Sequence, residues 1–218
     1  MNKKNIIEAI KKAREDSKKR NFNQTFDLVI NLKDLNLKNP DEQVDVFTQL
    51  PHNKGKKIKV CALVGPELKP EAEANCDLTI DVDSFPKYAQ DKKLVKKLAK
   101  EYDFFIAQAN IMAQIAKTFG RVFGSRGKMP NPKAGCVVPP KTNLKPLYEK
   151  LQDTTRIAAK TSPLIQISIG KEDMKDEDLA ENISSLYNTL IHALPKEENN
   201  ISSILLKTTM GKPVKVAQ

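Results

Sequence analysis

Ile58-Lys59-Val60-Cys61-Ala62-Leu63-Val64 is the run on which the fold turns. It is almost continuously apolar, as expected of a strand covered on both faces in a parallel sheet. Earlier runs read differently. Phe26, Leu28, Ile30 and Leu32 alternate with polar or exposed-type positions, and Val44, Val46, Thr48 and Leu50 repeat the pattern. Both therefore read as half-buried strands of an antiparallel pair, joined through the turn-rich Leu37-Lys38-Asn39-Pro40-Asp41. Before them, residues 4–20 form an amphipathic helix with Ile6, Ala9, Ile10 and Ala13 on one face.

After Ile58–Val64 the spacing predicts helix over Pro66–Ala74, strand over Cys76–Val82 and helix over Lys92–Lys100. Strand over Phe104–Gln108, helix over Ile111–Phe119 and a short helix over Leu144–Leu151 follow. Such alternation indicates a βαβ-type parallel module with helices outside. From Thr154 the first grammar returns, with strands over Arg156–Lys160 and Leu164–Ile169. Asp176 is placed to cap a helix carrying Leu179, Ile183, Leu186, Leu190 and Leu194 on one face, before a closing strand at Ile204-Leu205-Leu206. The expected architecture is a discontinuous outer domain, antiparallel strands with helices, interrupted by the parallel module.

The 218 residues hold 37 basic and 27 acidic side chains, a net +10 that favours an anionic partner. Lysine supplies 32 of the cations, so point-charge phosphate contacts are expected over bidentate forks. Cys61, Cys76 and Cys136 show no Cys-x-x-Cys spacing, and only His52 and His192 could join them, so no metal framework is recognisable. The cysteines read as buried free thiols of a reducing compartment. No window approaches 18 uninterrupted apolar residues, and Met1-Asn2-Lys3-Lys4 opens no signal-peptide core, so a soluble cytosolic protein is expected.

Gly120-Arg121-Val122-Phe123-Gly124-Ser125-Arg126-Gly127-Lys128-Met129-Pro130-Asn131-Pro132-Lys133-Ala134-Gly135 packs four glycines, two prolines and four cations into sixteen residues. It reads as a shaped basic loop that continues neither helix nor strand. It is a poor phosphate-cradling loop. Val122 stands where the first glycine is needed, Met129 replaces the hydroxyl residue, and Pro130 blocks the helix. A nucleotide-dependent enzyme built on the parallel module is the alternative function. It is weakened by Leu63-Val64-Gly65-Pro66-Glu67-Leu68, which lacks the dinucleotide fingerprint after the first strand. No catalytic residue is assigned. A protein-interaction scaffold presenting the apolar stripe of Asp176–Leu194 is a third reading, and core burial accounts for that stripe more simply.

The basic loop, together with Lys207-Thr208-Thr209-Met210-Gly211-Lys212-Pro213-Val214, resembles the family of large-subunit ribosomal protein one. Phe22-Asn23-Gln24-Thr25-Phe26-Asp27-Leu28, Leu50-Pro51-His52 and Ile165-Gln166-Ile167-Ser168-Ile169-Gly170-Lys171 fit the same pattern, so the resemblance covers essentially the whole chain. The stretch Asn31–Pro40 is similar to the archaeal branch.

The resemblance implies an α/β protein of two domains. Residues 1–53 and 157–218 would form a split β-α-β-like, mainly antiparallel RNA-binding domain. Residues 54–156 would form an inserted Rossmann-like three-layer α/β domain, with crossings near Lys54 and Arg156. It implies no enzyme activity, cofactor or metal, and a cytoplasmic protein, monomeric when free, that works on the ribosome. Its RNA partners would be the large-subunit rRNA stalk, its own mRNA, whose translation it would repress, and the E-site tRNA that the stalk helps release. Carried over by motif, the RNA-binding residues would be Phe22, Thr25, Ser168, Gly170, Lys171, Thr209, Met210 and Gly211. Asn21 departs from the pattern, standing where many relatives carry a cation.

These residue types suit RNA. A threonine hydroxyl matches a ribose 2′-hydroxyl, Met210 offers a flexible apolar surface, and Gly211 admits close backbone approach. Phe22 could stack or fill a core gap. Residues 54–156 hold 20 basic and 11 acidic side chains, whereas the remainder holds 17 and 16. Bulk charge therefore points to the inserted domain while the motifs point to the outer one. A secondary, salt-sensitive RNA contact by Arg121, Arg126, Lys128 and Lys133 would reconcile the two.

Overall fold

A computed structural model describes residues 2–216; Met1, Ala217 and Gln218, included in the expected outer domain, lie outside them. In chain order the elements are α1 (Lys3–Glu15), β1 (Thr25–Leu32), β2 (Val44–Gln49), β3 (Val60–Val64), α2 (Lys69–Asn75), β4 (Leu78–Asp81), α3 (Phe85–Gln90) and α4 (Lys92–Glu101). There follow β5 (Phe104–Gln108), α5 (Met112–Ser125), β6 (Val137–Val138), α6 (Lys145–Asp153), β7 (Thr154–Ala159), β8 (Leu164–Lys171), α7 (Asp176–Ala193), β9 (Ile201–Thr208) and β10 (Val214–Lys215).

Two compact units result: residues up to Lys56 with those from Asp153 onward, and Lys57–Gln152. The return crossing thus falls before Arg156, which lies inside β7 opposite Phe47 of β2. Its guanidinium holds Asp45 through two bonds, Nε to Oδ1 at 2.7 Å and Nη2 to Oδ2 at 3.0 Å. Lys160 approaches the same carboxylate at 2.7 Å.

The outer unit has a four-stranded antiparallel sheet in the order β10-β9-β1-β8 and a separate two-stranded ladder of β2 with β7. The expected pairing of β1 with β2 is therefore corrected. Both strands alternate as expected, but β1 pairs with β8 and β9, partners more than 130 residues away that local patterning does not reveal. The alternate residues Phe26, Leu28, Ile30 and Leu32 are buried in one core with Ile6 and Ile10 of α1 and Leu179, Ile183, Leu186 and Leu190 of α7. Asp176 is the first residue of α7 rather than its cap, which is Lys175. Its carboxylate instead accepts a 2.7 Å hydrogen bond from Arg14 of α1.

The inserted unit is a parallel sheet in the order β4-β3-β5-β6. All five residues of β3 are buried, as its uninterrupted apolar character requires. Cys61 and Cys136 are buried free thiols and Cys76 is half-buried. Burial pushes the thiols of Cys76 and Cys136 up to about 11, so they resist ionisation.

The glycine-rich stretch contains a second correction. Residues 120–125 are helical, the last two turns of α5, rather than loop. A glycine in a helix costs about 1 kcal/mol relative to alanine, whereas burying a phenylalanine contributes about 1.5–3 kcal/mol. Phe119 and Phe123, one turn apart and fully buried, therefore carry the helix past Gly120 and Gly124. Phe123 lies 4.1 Å from Phe105 and 5.2 Å from Phe119 between ring centroids. The helix stops at Gly127, which has φ +64°. Its N–H bonds Gly124 O at 3.0 Å, and the Lys128 N–H bonds Phe123 O at 2.8 Å. That paired arrangement is a Schellman stop. The Gly-Lys dipeptide closes a helix; it does not open one around a phosphate.

Irregularity also marks the end of β8. Opposite β1 the register passes from Asp27↔Ser168 to Phe26↔Gly170, leaving Ile169 as an extra residue. Ile169 and Gly170 are consequently buried in succession, and a Cβ on Gly170 would lie 2.6 Å from both Leu179 Cδ2 and Met174 Sδ.

Gly170→Ala is expected to lower stability by about 1–3 kcal/mol through overpacking; an unchanged thermal midpoint would contradict this account of the bulge. Asp45 supplies a pH test. Its burial acts upward but is outweighed by the hydrogen bonds and charges of Arg156 and Lys160, so its carboxyl lies below the ordinary range. A depressed folded value stabilises above the unfolded value, near pH 4, and that contribution fades as pH falls through the folded value. Asp45→Asn should therefore destabilise by about 1–2 kcal/mol at pH 7, with the two melting curves converging in acid.

Candidate nucleic-acid interface

One face of the antiparallel sheet meets α1 and α7, and the other carries its polar side chains outward. Strand register orders that open face into rows. Thr25 stands opposite Lys171, Asp27 opposite both Ser168 and Lys207, and Val29 opposite both Gln166 and Leu205. Asp27, Gln166, Ser168 and Lys207 border a shallow depression. Partial burial raises the Asp27 carboxyl, while the charge of Lys207 opposes the shift.

At the end of the sheet, the segment before β1 meets the turn after β9. Gln24, fully buried, organises the junction. Its Nε2 donates to Ser17 Oγ at 2.8 Å, Lys18 O at 3.3 Å and Glu172 Oε2 at 3.4 Å. Its Oε1 accepts from the Met210 N–H at 3.2 Å, and its backbone carbonyl accepts from the Glu172 N–H at 2.8 Å. Buried Thr208 adds a 3.0 Å hydroxyl bond to Ser17. Thr209 extends the β1–β9 ladder with its side chain. Its Oγ1 accepts from the Thr25 N–H at 3.0 Å and donates to Thr25 O at 3.2 Å, leaving one lone pair for a ligand.

Six of the expected residues thus converge: Thr25, Gly170, Lys171, Thr209, Met210 and Gly211. Ser168 belongs to the next row, exposed. Phe22, two residues ahead of Gln24, does not fill the core. It is 54% exposed, and Met210 is 61% exposed. These are the large apolar side chains left in solvent among the described residues. The Lys171 stem lies against Gly55.

Both glycines answer to the fold. Gly211 donates to Thr208 O at 3.1 Å in the turn, and a Cβ there would collide with the Thr208 hydroxyl. Gly170 faces Leu179 and Met174, away from the open face. Their role at the site is to shape it.

Gln24 is absent from the residues the motifs single out, although the sequence carries a signal for it. Stepping back by two from Phe26 puts Gln24 on the core face, where a polar side chain must find partners. Asp27 and Lys207 are likewise absent, being polar residues at ordinary outward positions.

The four loop cations belong to the inserted unit. Arg126 Nη1 donates to Lys96 O at 3.3 Å. Lys128 Nζ donates to Tyr102 O at 2.6 Å and lies 3.8 Å from Asp103. Arg121 and Lys133 are exposed. Where a dinucleotide phosphate would need the Gly65 N–H, the buried Gln108 side chain already accepts it at 2.8 Å.

Comparison with known proteins bears on this geometry. The sequence pattern of the ribosomal protein L1p/L10e family matches residues 10–212. The chain is 40% identical to the large ribosomal subunit protein uL1 of Methanothermobacter thermautotrophicus, over 97% of this chain and 98% of that protein. It is 42% identical to the protein of that name from Thermococcus kodakarensis, covering 97% and 96%. For the Nanoarchaeum equitans protein of that name, identity is 42%, covering 96% and 98%. With its pattern matched from α1 to the turn after β9, the chain belongs to the ribosomal protein L1p/L10e family.

Proposed function

We propose that this protein is a constituent of the large ribosomal subunit that binds large-subunit rRNA with the end of its antiparallel sheet. In this reading it forms the mobile stalk on the tRNA exit side, takes part in release of E-site tRNA, and represses translation by binding a similar element in its own mRNA. It works in the cytoplasm, on the ribosome, without a cofactor.

The observation that carries the reading is the paired exposure of Phe22 and Met210 beside a buried amide. Large apolar side chains held in solvent by a fixed scaffold favour a partner that covers them. Thr25, Ser168, Lys171 and Thr209 surround them with hydroxyls, backbone edges and one cation. That mixture suits recognition of RNA shape through 2′-hydroxyls, ribose faces and unstacked bases.

Phe22→Ala and Met210→Ala should each weaken binding to a large-subunit stalk RNA hairpin by about 1–3 kcal/mol, the usual worth of a base-stacking contact. Discrimination against a scrambled hairpin of equal length should fall with it, while the melting temperature stays put because both side chains are exposed. Full discrimination in the double variant would refute the reading. Gln24→Leu, which removes the bonds to Ser17, Lys18, Glu172 and Met210, should lose both stability and affinity, by about 1–3 kcal/mol in stability.

A further inference from the structure

The sequence Lys92-Lys93-Leu94-Val95-Lys96-Lys97-Leu98-Ala99-Lys100 forms most of α4. At 3.6 residues per turn, its five lysines fall within about 140° of arc. Val95, Leu98 and Ala99 occupy the opposite side and are buried. All five lysines are exposed. None of the ion pairs found among the described residues involves them. Glu101, at the end of the helix, is engaged by Lys59 at 3.2 Å.

This face is unfavourable for an isolated helix. Lys92/Lys96, Lys93/Lys97 and Lys96/Lys100 are like-charge pairs at i,i+4, each opposing the helix by about 0.2–0.5 kcal/mol. Lys92 and Lys93 stand in the first turn, where the backbone dipole disfavours cations; only the capping carboxylate of Asp91, accepting from the Lys93 N–H at 2.8 Å, offsets them. A solvated surface helix gains from interspersed acids, and α4 has none in its first turn. Breaking the local rule on one face, while the buried face obeys it, marks a site of function.

Two neighbours enlarge the patch. Arg126 is tied to the Lys96 carbonyl, and Lys128 to the Tyr102 carbonyl at the end of α4. Lys97 also borders a groove with Leu94, the rings of Tyr88 and Tyr102, and the charged Lys87 and Glu101. A cationic row beside an aromatic-lined groove suits a sugar–phosphate chain with an unstacked base better than it suits an acidic peptide.

We propose that the lysine face of α4 is a second RNA-binding surface, gripping the phosphate backbone without reading sequence. The proposal rests on the protein being RNA-binding but uses residues distinct from the sheet-end site, and it moves the main electrostatic contact from the glycine-rich segment onto the helix.

The test uses the full chain with Lys92, Lys93, Lys96, Lys97 and Lys100 all changed to Gln. Its charge-matched control changes the dispersed, exposed Lys33, Lys38, Lys141, Lys145 and Lys196 to Gln. Affinity for the stalk hairpin and for the scrambled hairpin is titrated against salt. Each phosphate contact contributes about 0.7–0.9 to the log–log slope, so the α4 variant should be shallower by about four units on both RNAs. The control should change the slope by less than one unit, and the α4 variant should melt at or above the wild type. A slope change equal to the control's would overturn the proposal. So would an unchanged RNA slope with lost retention on polyglutamate, which would assign the face to an acidic protein. Failure of the sheet-end reading shows differently, as absent discrimination between hairpins in the wild type.

Discussion

A single buried carboxamide holds together the end of the antiparallel sheet in the outer unit. Gln24 joins the residues after α1, the segment after β8 and the turn after β9, immediately before the strand that is paired on both sides. Its oxygen takes the Met210 N–H, and its nitrogen takes three acceptors. The carboxamide is itself buried, so leaving its polar atoms unpaired is expensive, and that cost favours one arrangement of the junction. The exposed side chains of Phe22 and Met210 inherit that rigidity. Their chain directions are fixed before any ligand arrives, which lowers the ordering cost of binding.

Charge follows a different plan from shape. The sheet's open face sets Asp27 against Lys207 and carries Lys171 in the neighbouring row, whereas α4 collects five lysines on one face between Asp91 and Glu101. On the proposed reading, attraction and discrimination fall to different units of the chain. Such separation has a physical advantage. A cationic surface strong enough to draw RNA from a distance would also hold wrong RNA, so discrimination gains from a site that contributes little charge of its own.

What the sequence disclosed and what it hid follow from the range of the forces involved. Phe104–Gln108 reads as a strand with the bounds it has in the structure, because an apolar run with polar flanks is a local signal. The lysine and apolar faces of α4 are equally local. Pairing is not: β1 and β2 resemble two arms of a hairpin, yet β1 takes its neighbours from the far end of the chain. Asp176 looks like a cap because its type fits, and only the distant Arg14 explains its true engagement. Gln24 was hidden for the same reason. Its pattern position marks it as inward-facing, but its four partners lie on segments that only the fold assembles.

The glycines carry the most general consequence. Gly127, Gly170 and Gly211 all sit in stretches that invite a ligand-centred explanation, and each has a sufficient internal one: a Schellman stop, a bulge packed under Leu179, and a turn closed over Thr208. A glycine required by the chain itself says where the backbone bends, and the ligand then meets whatever the bend presents. At the sheet end those residues are Met210, held ahead of Gly211, and Lys171, placed opposite Thr25 by the bulge at Gly170. On α5 the stop at Gly127 sets Arg126 and Lys128 on either side of the turn, against backbone carbonyls of the α4 segment. In both places the glycine fixes the backbone, and the side chains flanking it are the chemistry the surface presents.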